Sequence, residues 1–490
     1  MIRLALKTWW TRTRRAVKTR WTRPAGGREL LALALPLIIS TASWTVMNFI
    51  DRMFLLWHST DAMAAAMPAG MLYYTVICYP LGVAAYVNTF VAQYHGAGRP
   101  ERIGVAVWQG VWLGVLTAPL ILLTIPVIPL VFQLSGHDPQ VAALETTYYQ
   151  IATAAGGASV IAAAMSSFFS GRGETRVVMI VDTIAAGINI VLDYAWIFGH
   201  WGFPAAGMAG AAWATVVALW ARVLMYGWIM LWPVYRQKYQ MLAGCRFDRA
   251  LWQRLLRFGG PNGLQFLVEV AAFTLFLLLV GRLGREAAAA TSLAFNVNGI
   301  AFVPMIGLGV AVSTIVGQYL GRDRADLASR ATWTSFWMAA CYMGFLSLLY
   351  VLVPDAFLAG HASGADPQAF ATLRDMTVVL LRFVAAYSLF DAMSLVFVGA
   401  IKGAGDTRFV LWTHASIAPF PLLAGWLGIT RFGYGLNWCW LMLTLWACAL
   451  GLIFLARFLH GRWRSMRVIE PELLGQPKPL VEPAATCSAE

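Results

Sequence analysis

Charge is scarce in this chain. Only 12% of its 490 residues are Asp, Glu, Lys or Arg, about half the share of an ordinary soluble domain. A water-soluble fold could not cover so much apolar surface. Cysteine is scarce too. The six present are scattered without a CxxC pair, which excludes a disulfide framework and leaves them as small packing residues. No GxxxxGK[ST] stretch occurs, so the chain has no phosphate cradle for ATP. HExxH and GxSxG are also absent, and His414 is the one histidine inside an apolar run, which argues against a membrane-embedded enzyme. His58, His137, His200 and His361 fall in loops without ligand spacing. The net charge of +13 is not a basic patch interleaved with aromatics on a soluble domain, so nucleic acid is discounted as a partner.

Long apolar runs are what the chain has instead, with 59% of its residues hydrophobic. Runs near 30–57, 62–92, 103–131, 141–169, 177–199 and 207–232 are each long enough to cross a bilayer. The break "PVYRQKYQMLAGCRFDRALWQR" follows, and then six more near 255–281, 287–319, 329–353, 376–401, 409–429 and 434–459. The reading is an all-α integral membrane protein with twelve transmembrane helices. It divides into a basic arm at 1–28, an N-lobe at 29–232, a linker at 233–254, a C-lobe at 255–459 and a tail at 460–490. The arm is too long and too basic for a cleavable signal, and Trp9, Trp10 and Trp21 among its cations suit a segment lying on an anionic membrane surface. If the N-terminus is inside, 29 of the 36 lysines and arginines fall on inner segments, Lys402 and Arg408 among them, and three on outer loops. That asymmetry predicts both termini in the cytoplasm and a multi-pass protein of the cell's inner membrane. The end, "PKPLVEPAATCSAE", reads as disordered.

The halves echo each other at an offset of 225. Pro36 meets Pro261, "VAQYHG" meets "VGQYLG" with Gln93 over Gln318, and "GAAW" at 210–213 meets "GLNW" at 435–438. "GRGETR" at 171–176 matches "GAGDTR" at 403–408 with a slip of seven. Each half has six spans, so both run the same way, and two such lobes leave a cleft between them suited to alternating access. A duplication serving only a scaffold, receptor or channel is the competing reading.

Several acids interrupt the spans, each costing about 2.5–3.5 kcal/mol at mid-membrane. Glu269 shares a helical stripe with Asn262, Gln265 and Phe273. Tyr387 and Asp391 stand one turn apart on another span at similar depth. Glu269 and Asp391 could hold a proton or, with Tyr387 and backbone oxygens, cage a cation; neutral structural acids are the plainer alternative. In the first half, Asn189 and Asp193 share a face, Asp51 lies at matching depth, and Thr215 could complete the group. Asp51 adjoins Arg52, and a second reading has it reaching the headgroups. Arg222 and Arg382 also fall in spans, and the sequence names no partner for either.

These features together resemble the multidrug and toxic compound extrusion (MATE) family over roughly residues 29–459. The likeness rests on "LPLIISTASWTVMNFID", "VAQYHGAGR", the "GRGETR"/"GAGDTR" pair, "FGGPNGLQFLVEVAAF" and "VGQYLGRDR". The resemblance implies two pseudo-symmetric six-helix lobes in a V, functional as a monomer, expelling amphipathic organic cations in exchange for H⁺ or Na⁺ with no other cofactor. It implies that Glu269, Tyr387 and Asp391 form a C-lobe cation site, with Na⁺ at Glu269 and Asp391 as one option. Asp51, Asn189, Asp193 and Thr215 match an N-lobe site, while Gln265, Phe273 and Asn262 are placed along the substrate cleft. A flippase for lipid-linked saccharides is the alternative within transporters; its anionic cargo calls for a cavity rich in Lys and Arg.

Overall fold

The computed structural model describes residues 21–134, 138–362 and 367–470. The first 20 residues of the basic arm, His137 and the tail beyond 470 lie outside this range. Among the described residues, twelve helices long and apolar enough to cross a membrane follow one another. They are α1 (Gly27–His58), α2 (Thr60–Ala97), α3 (Pro100–Gln133), α4 (Pro139–Arg172), α5 (Thr175–Phe198) and α6 (Gly207–Met230). After the connection come α7 (Arg249–Gly281), α8 (Arg285–Gly321), α9 (Ala325–Leu352), α10 (Pro367–Ala404), α11 (Thr407–Phe432) and α12 (Leu436–His460).

Backbone groups have no water to bond inside a bilayer, so each apolar run closes its hydrogen bonds as a helix and stops where polar punctuation resumes. The Ser59 hydroxyl caps α2 and the Asp248 carboxylate caps α7 through Leu251 N–H at 3.0 Å. The central break is not a free linker. Its Met241, Cys245 and Arg246 carbonyls accept from Trp108, Trp112 and Gln109 of α3.

Within the N-lobe, α5 packs on α1 and α6, and α4 on α2 and α3; within the C-lobe, α10 packs on α8, α9 and α12. Between lobes the pairing is crossed: α1 lies against α8, and α7 against α2. The two crossings are equivalent under the offset of 225. A Cβ on Gly82 of α2 would stand 2.8 Å from Gly263 Cα on α7, and one on Gly307 of α8 would stand 2.8 Å from the Ile38 nitrogen on α1.

At the ends of these helices nearest the chain termini, the repeated motifs meet. Gln93 donates to the Gly403 carbonyl at 2.9 Å, and Gln318 donates to the Gly171 carbonyl at 2.8 Å. Each glutamine therefore reaches the first glycine of the other half's Gly-x-Gly-x-Thr-Arg segment. The approach is close: a Cβ on Gly96 would sit 2.1 Å from the Gln318 carbonyl oxygen, and one on Gly321 would sit 2.2 Å from that of Gln93. Only glycine tolerates this spacing. Asn88 adds a bond to Thr314 at 2.9 Å, and the lobes are closed on this side.

The chain after α12 strengthens the closure. Residues 461–470, read from sequence as part of the tail, pack tightly, with Trp463, Val468 and Ile469 buried. The segment crosses both lobes. Val468 N–H donates to Gln93, Arg254 donates to the Val468 carbonyl, and Arg467 pairs with Asp323. Glu470 accepts from Tyr94 at 2.7 Å and pairs with Arg102 at 2.9 Å. Burial opposes the charged Glu470 carboxylate, but these contacts outweigh it and hold the group below its ordinary 4.5.

A Gly96→Val variant should lose the closed arrangement, because overpacking here costs about 1–3 kcal/mol. With Thr314→Cys as reporter in a background lacking other cysteines, thiol labelling from the terminal side should rise; unchanged protection would show that the close approach is dispensable. Because Glu470 is held below 4.5, its contribution is present above that pH and is lost as pH falls through the lower, folded value. Glu470→Gln at neutral pH should then give the same faster hydrogen exchange at 466–470 as acidification of the parent protein.

Candidate ion and substrate sites

The acids of the N-lobe spans have two different fates. Asp182 and Asp193 lie three turns apart on α5, so they share a face. Asp182 is fully occupied. Arg222 Nε reaches its Oδ1 at 2.6 Å, the Tyr226 hydroxyl donates to the same oxygen at 3.0 Å, and the Ser40 hydroxyl donates to Oδ2. This identifies the partner of Arg222 and makes the pair a packing element joining α1, α5 and α6.

Asp193 belongs to a second group, farther from the chain termini. With the Asn189 amide oriented to satisfy its neighbours, its Nδ2 donates to Asp193 Oδ2 at 2.9 Å and its oxygen accepts from Thr215 N–H at 3.3 Å. Asp51 of α1 is near enough for its charge to act on Asp193. Tyr148 of α4, which the periodicity of its own span did not single out, faces both carboxylates and Thr215. The structure thus assembles all four residues expected from sequence. Oδ1 of Asp51 and Oδ1 of Asp193 are buried without a protein partner. Two adjacent carboxylates with free oxygens in a low-dielectric site repel each other until a proton or cation neutralises them.

The C-lobe set is also assembled, but with company that spacing along one helix cannot reveal. Glu269 and Asp391 lie within each other's electrostatic reach. Tyr387, one turn from Asp391, receives a bond from Asn298 of α8 at 3.3 Å, and the other side of that amide, Oδ1, is buried without a partner. His414 of α11 places Nδ1 3.3 Å from Glu269 Oε1; its side chain is 5% exposed and packs on Phe454. Lys402, counted with the terminal-side charges, stands on that side in the last turn of α10, but its ammonium turns inward: it donates to Gln265 Oε1 and acts electrostatically on Glu269. Lys402 stands where the first half has Ser170, which bonds Asn88 instead. Arg382 is exposed and forms no ion pair among the described residues.

Of the three expected cleft residues, Gln265 is buried under Lys402, and Asn262 is spent on the lobe crossing, donating to the Gly82 carbonyl at 2.7 Å. These two brace α7 rather than line an open surface. Phe273, one turn beyond Glu269, is 42% exposed with its ring against Phe295. No group of three or more His, Cys, Asp or Glu suited to a metal ion occurs among the described residues.

Comparisons to known proteins give the family and the fold. The MatE family model matches residues 36–195 and 261–426, one match in each half. The chain belongs to the MatE family. It is 30% identical over 386 residues to a probable multidrug resistance protein NorM of Pseudomonas aeruginosa, covering 78% of either chain. With the namesake of Shewanella oneidensis it shares 27% over 385 residues, 78% of this chain and 82% of the other. Among solved structures, an outward-facing multidrug resistance MATE transporter of the MOP superfamily superposes with a TM-score of 0.81 at 17% identity, over 92% of this chain and 99% of that one. That likeness shows the fold: two lobes, closed here on the side of the termini.

Arg222→Leu should destabilise the protein by about 3 kcal/mol or more, since it strands the buried Asp182 charge. Thermal melting in detergent would show the loss, and adding Asp182→Leu should recover much of it. A melting temperature unchanged by Arg222→Leu would remove the pair from the structural framework.

Proposed function

We propose that this MatE protein is a proton-coupled efflux antiporter for amphipathic organic cations, acting as a monomer in the inner membrane with both termini in the cytoplasm. The family, the names of its relatives and the twelve-helix frame support export of diverse small molecules. The positive charge gathered on the terminal side supports the orientation, and it persists when Lys402 is removed from the count.

One observation carries the choice of ion: the contact of Glu269 with His414, with the Lys402 charge in reach. Sodium needs several hard oxygen donors in direct contact, whereas the groups placed beside this carboxylate, the His414 imidazole and the Lys402 ammonium, supply none. A proton needs no such set, because it can sit on either the carboxylate or the imidazole.

In the outward-facing state, protons from outside neutralise the Asp51–Asp193 pair and Glu269. The acids then no longer hold the organic cation, and it leaves. In the inward-facing state, protons depart to the cytoplasm, and the re-ionised acids draw the next cation against aromatic faces such as Phe273. Each ligand biases the equilibrium through its different affinity for the two facings, which is all that coupling requires.

In proteoliposomes given one gradient at a time, an inward-directed pH gradient should drive export of a fluorescent organic cation, and a sodium gradient without a pH gradient should not. Asp51→Asn with Asp193→Asn, or Glu269→Gln alone, should lower the flux about tenfold or more. Export driven by sodium alone would refute the proton assignment; no flux under either gradient would refute the transport reading.

A further inference from the structure

A cavity of about 650 Å³ opens on the terminal side of the C-lobe, away from the ion sites. It lies between the start of α7, the start of α11, the end of α12 and the packed segment 461–470. Six arginines line it: Arg254, Arg257, Arg408, Arg457, Arg462 and Arg467; Asp406 is its one acid. Asp406 is ion-paired with Arg457 through two bonds to its Oδ2, of 2.8 and 2.7 Å, and Arg467 pairs with Asp323. Among the described residues Arg254 bonds only the Val468 carbonyl, which orients it without cancelling its charge. Arg257, Arg408 and Arg462 pair with no acid among the described residues.

Four guanidinium charges therefore converge on one concavity with no acid paired to them among the described residues. A positive-inside bias explains basic residues spread along a membrane face, but not their gathering around a hollow, where like charges repel. A second observation bears on the wall itself. The Arg467 side chain, one of those lining the cavity, is only 8% exposed, and its Nε is buried without a partner among the described residues. Guanidinium forks of this kind match phosphate oxygens. The rim adds an apolar part: Phe258, Phe409 and Trp412 line the cavity, and Trp412 is 68% exposed at the end of a spanning helix, where tryptophan favours the headgroup level.

We propose that this cavity binds the phosphate of an anionic phospholipid headgroup, with the lipid's acyl chains running along α11 past Trp412. Phosphate is the chemistry recognised. Its position at the membrane boundary and its aromatic rim favour a lipid over a free anion. Because Met466, Arg467 and Ile469 form part of the wall, a bound headgroup also braces the segment that joins the lobes.

The test uses the full-length protein in a neutral detergent, titrated separately with short-chain phosphatidylglycerol, short-chain phosphatidylcholine and inorganic phosphate, with binding read by native mass spectrometry. Phosphatidylglycerol should bind and phosphatidylcholine should not. Arg257→Gln with Arg408→Gln, two exposed positions, should weaken phosphatidylglycerol by roughly thirtyfold, two surface contacts' worth. The same protein should keep its lipid-free melting temperature. Arg322→Gln with Arg330→Gln, on the same side but outside the cavity, should bind as the parent does. Equal loss in this second pair would reveal diffuse surface attraction and overturn the site, as would full binding in the first pair. Inorganic phosphate binding as tightly as the lipid would overturn the lipid assignment.

Discussion

Two amide-to-carbonyl hydrogen bonds, Gln93 to Gly403 and Gln318 to Gly171, fix how the lobes meet. Each joins a glutamine at the end of one half's second helix to the last turn of the other half's fourth. Such bonds are strong where water is excluded, but they form only if the backbones come close, and glycine at 96 and 321 permits that. The helix crossings at Gly82 and Gly307 bring the backbones to the same spacing nearer mid-membrane. The strap at 466–470 then lies across the closed ends. With one end fastened, the only way for the lobes to part is at the other, where the Asp51–Asp193 pair sits.

The charged groups inside the spans sort by whether their hydrogen-bonding capacity is used. Asp182 has three donors, one of them a cation, and its place is structural. Asp193, three turns along the same helix face, keeps an oxygen free, as do Asp51 across from it and Asn298 in the other lobe. Buried polar atoms without partners are costly in hydrocarbon, and a fold keeps them where a ligand comes and goes. Glu269 is an intermediate case: His414 Nδ1 stands 3.3 Å from it without a formed hydrogen bond, and the Lys402 charge acts on it from the same lobe.

The spans, the duplication and the N-lobe group were legible from sequence because each leaves a local or periodic trace. Apolar length marks a helix, a constant offset marks a repeat, and Asn189 with Asp193 at one-turn spacing marks a face. Contacts between helices leave no such trace. Nothing near Arg222 in the chain points to Asp182, and nothing near Glu269 points to His414, more than a hundred residues away. The inward direction of the Lys402 side chain was hidden for a specific reason. Counting positive charges by loop assumes that a lysine near a helix end lies outside the membrane, yet its long side chain runs back along α10 to Gln265. Asn262 and Gln265 were read as cleft residues from their stripe with Glu269. The stripe is real, but it faces neighbouring helices as well as the cleft. The packing of 461–470 was likewise invisible, since a basic stretch after the last span reads as solvated.

The crossed pairing of the halves has the form of an isologous interface, in which the same patch on two partners meets itself about a two-fold axis. A half-length ancestor could have built this closure as a homodimer, with a single glutamine and a single glycine segment serving both copies. Fusion into one chain released that constraint. The position held by Ser170 in one half could become Lys402 in the other, something an identical pair could not do without placing a lysine on both sides. The asymmetry in charge between the two lobes is thus a freedom gained when two subunits became one polypeptide.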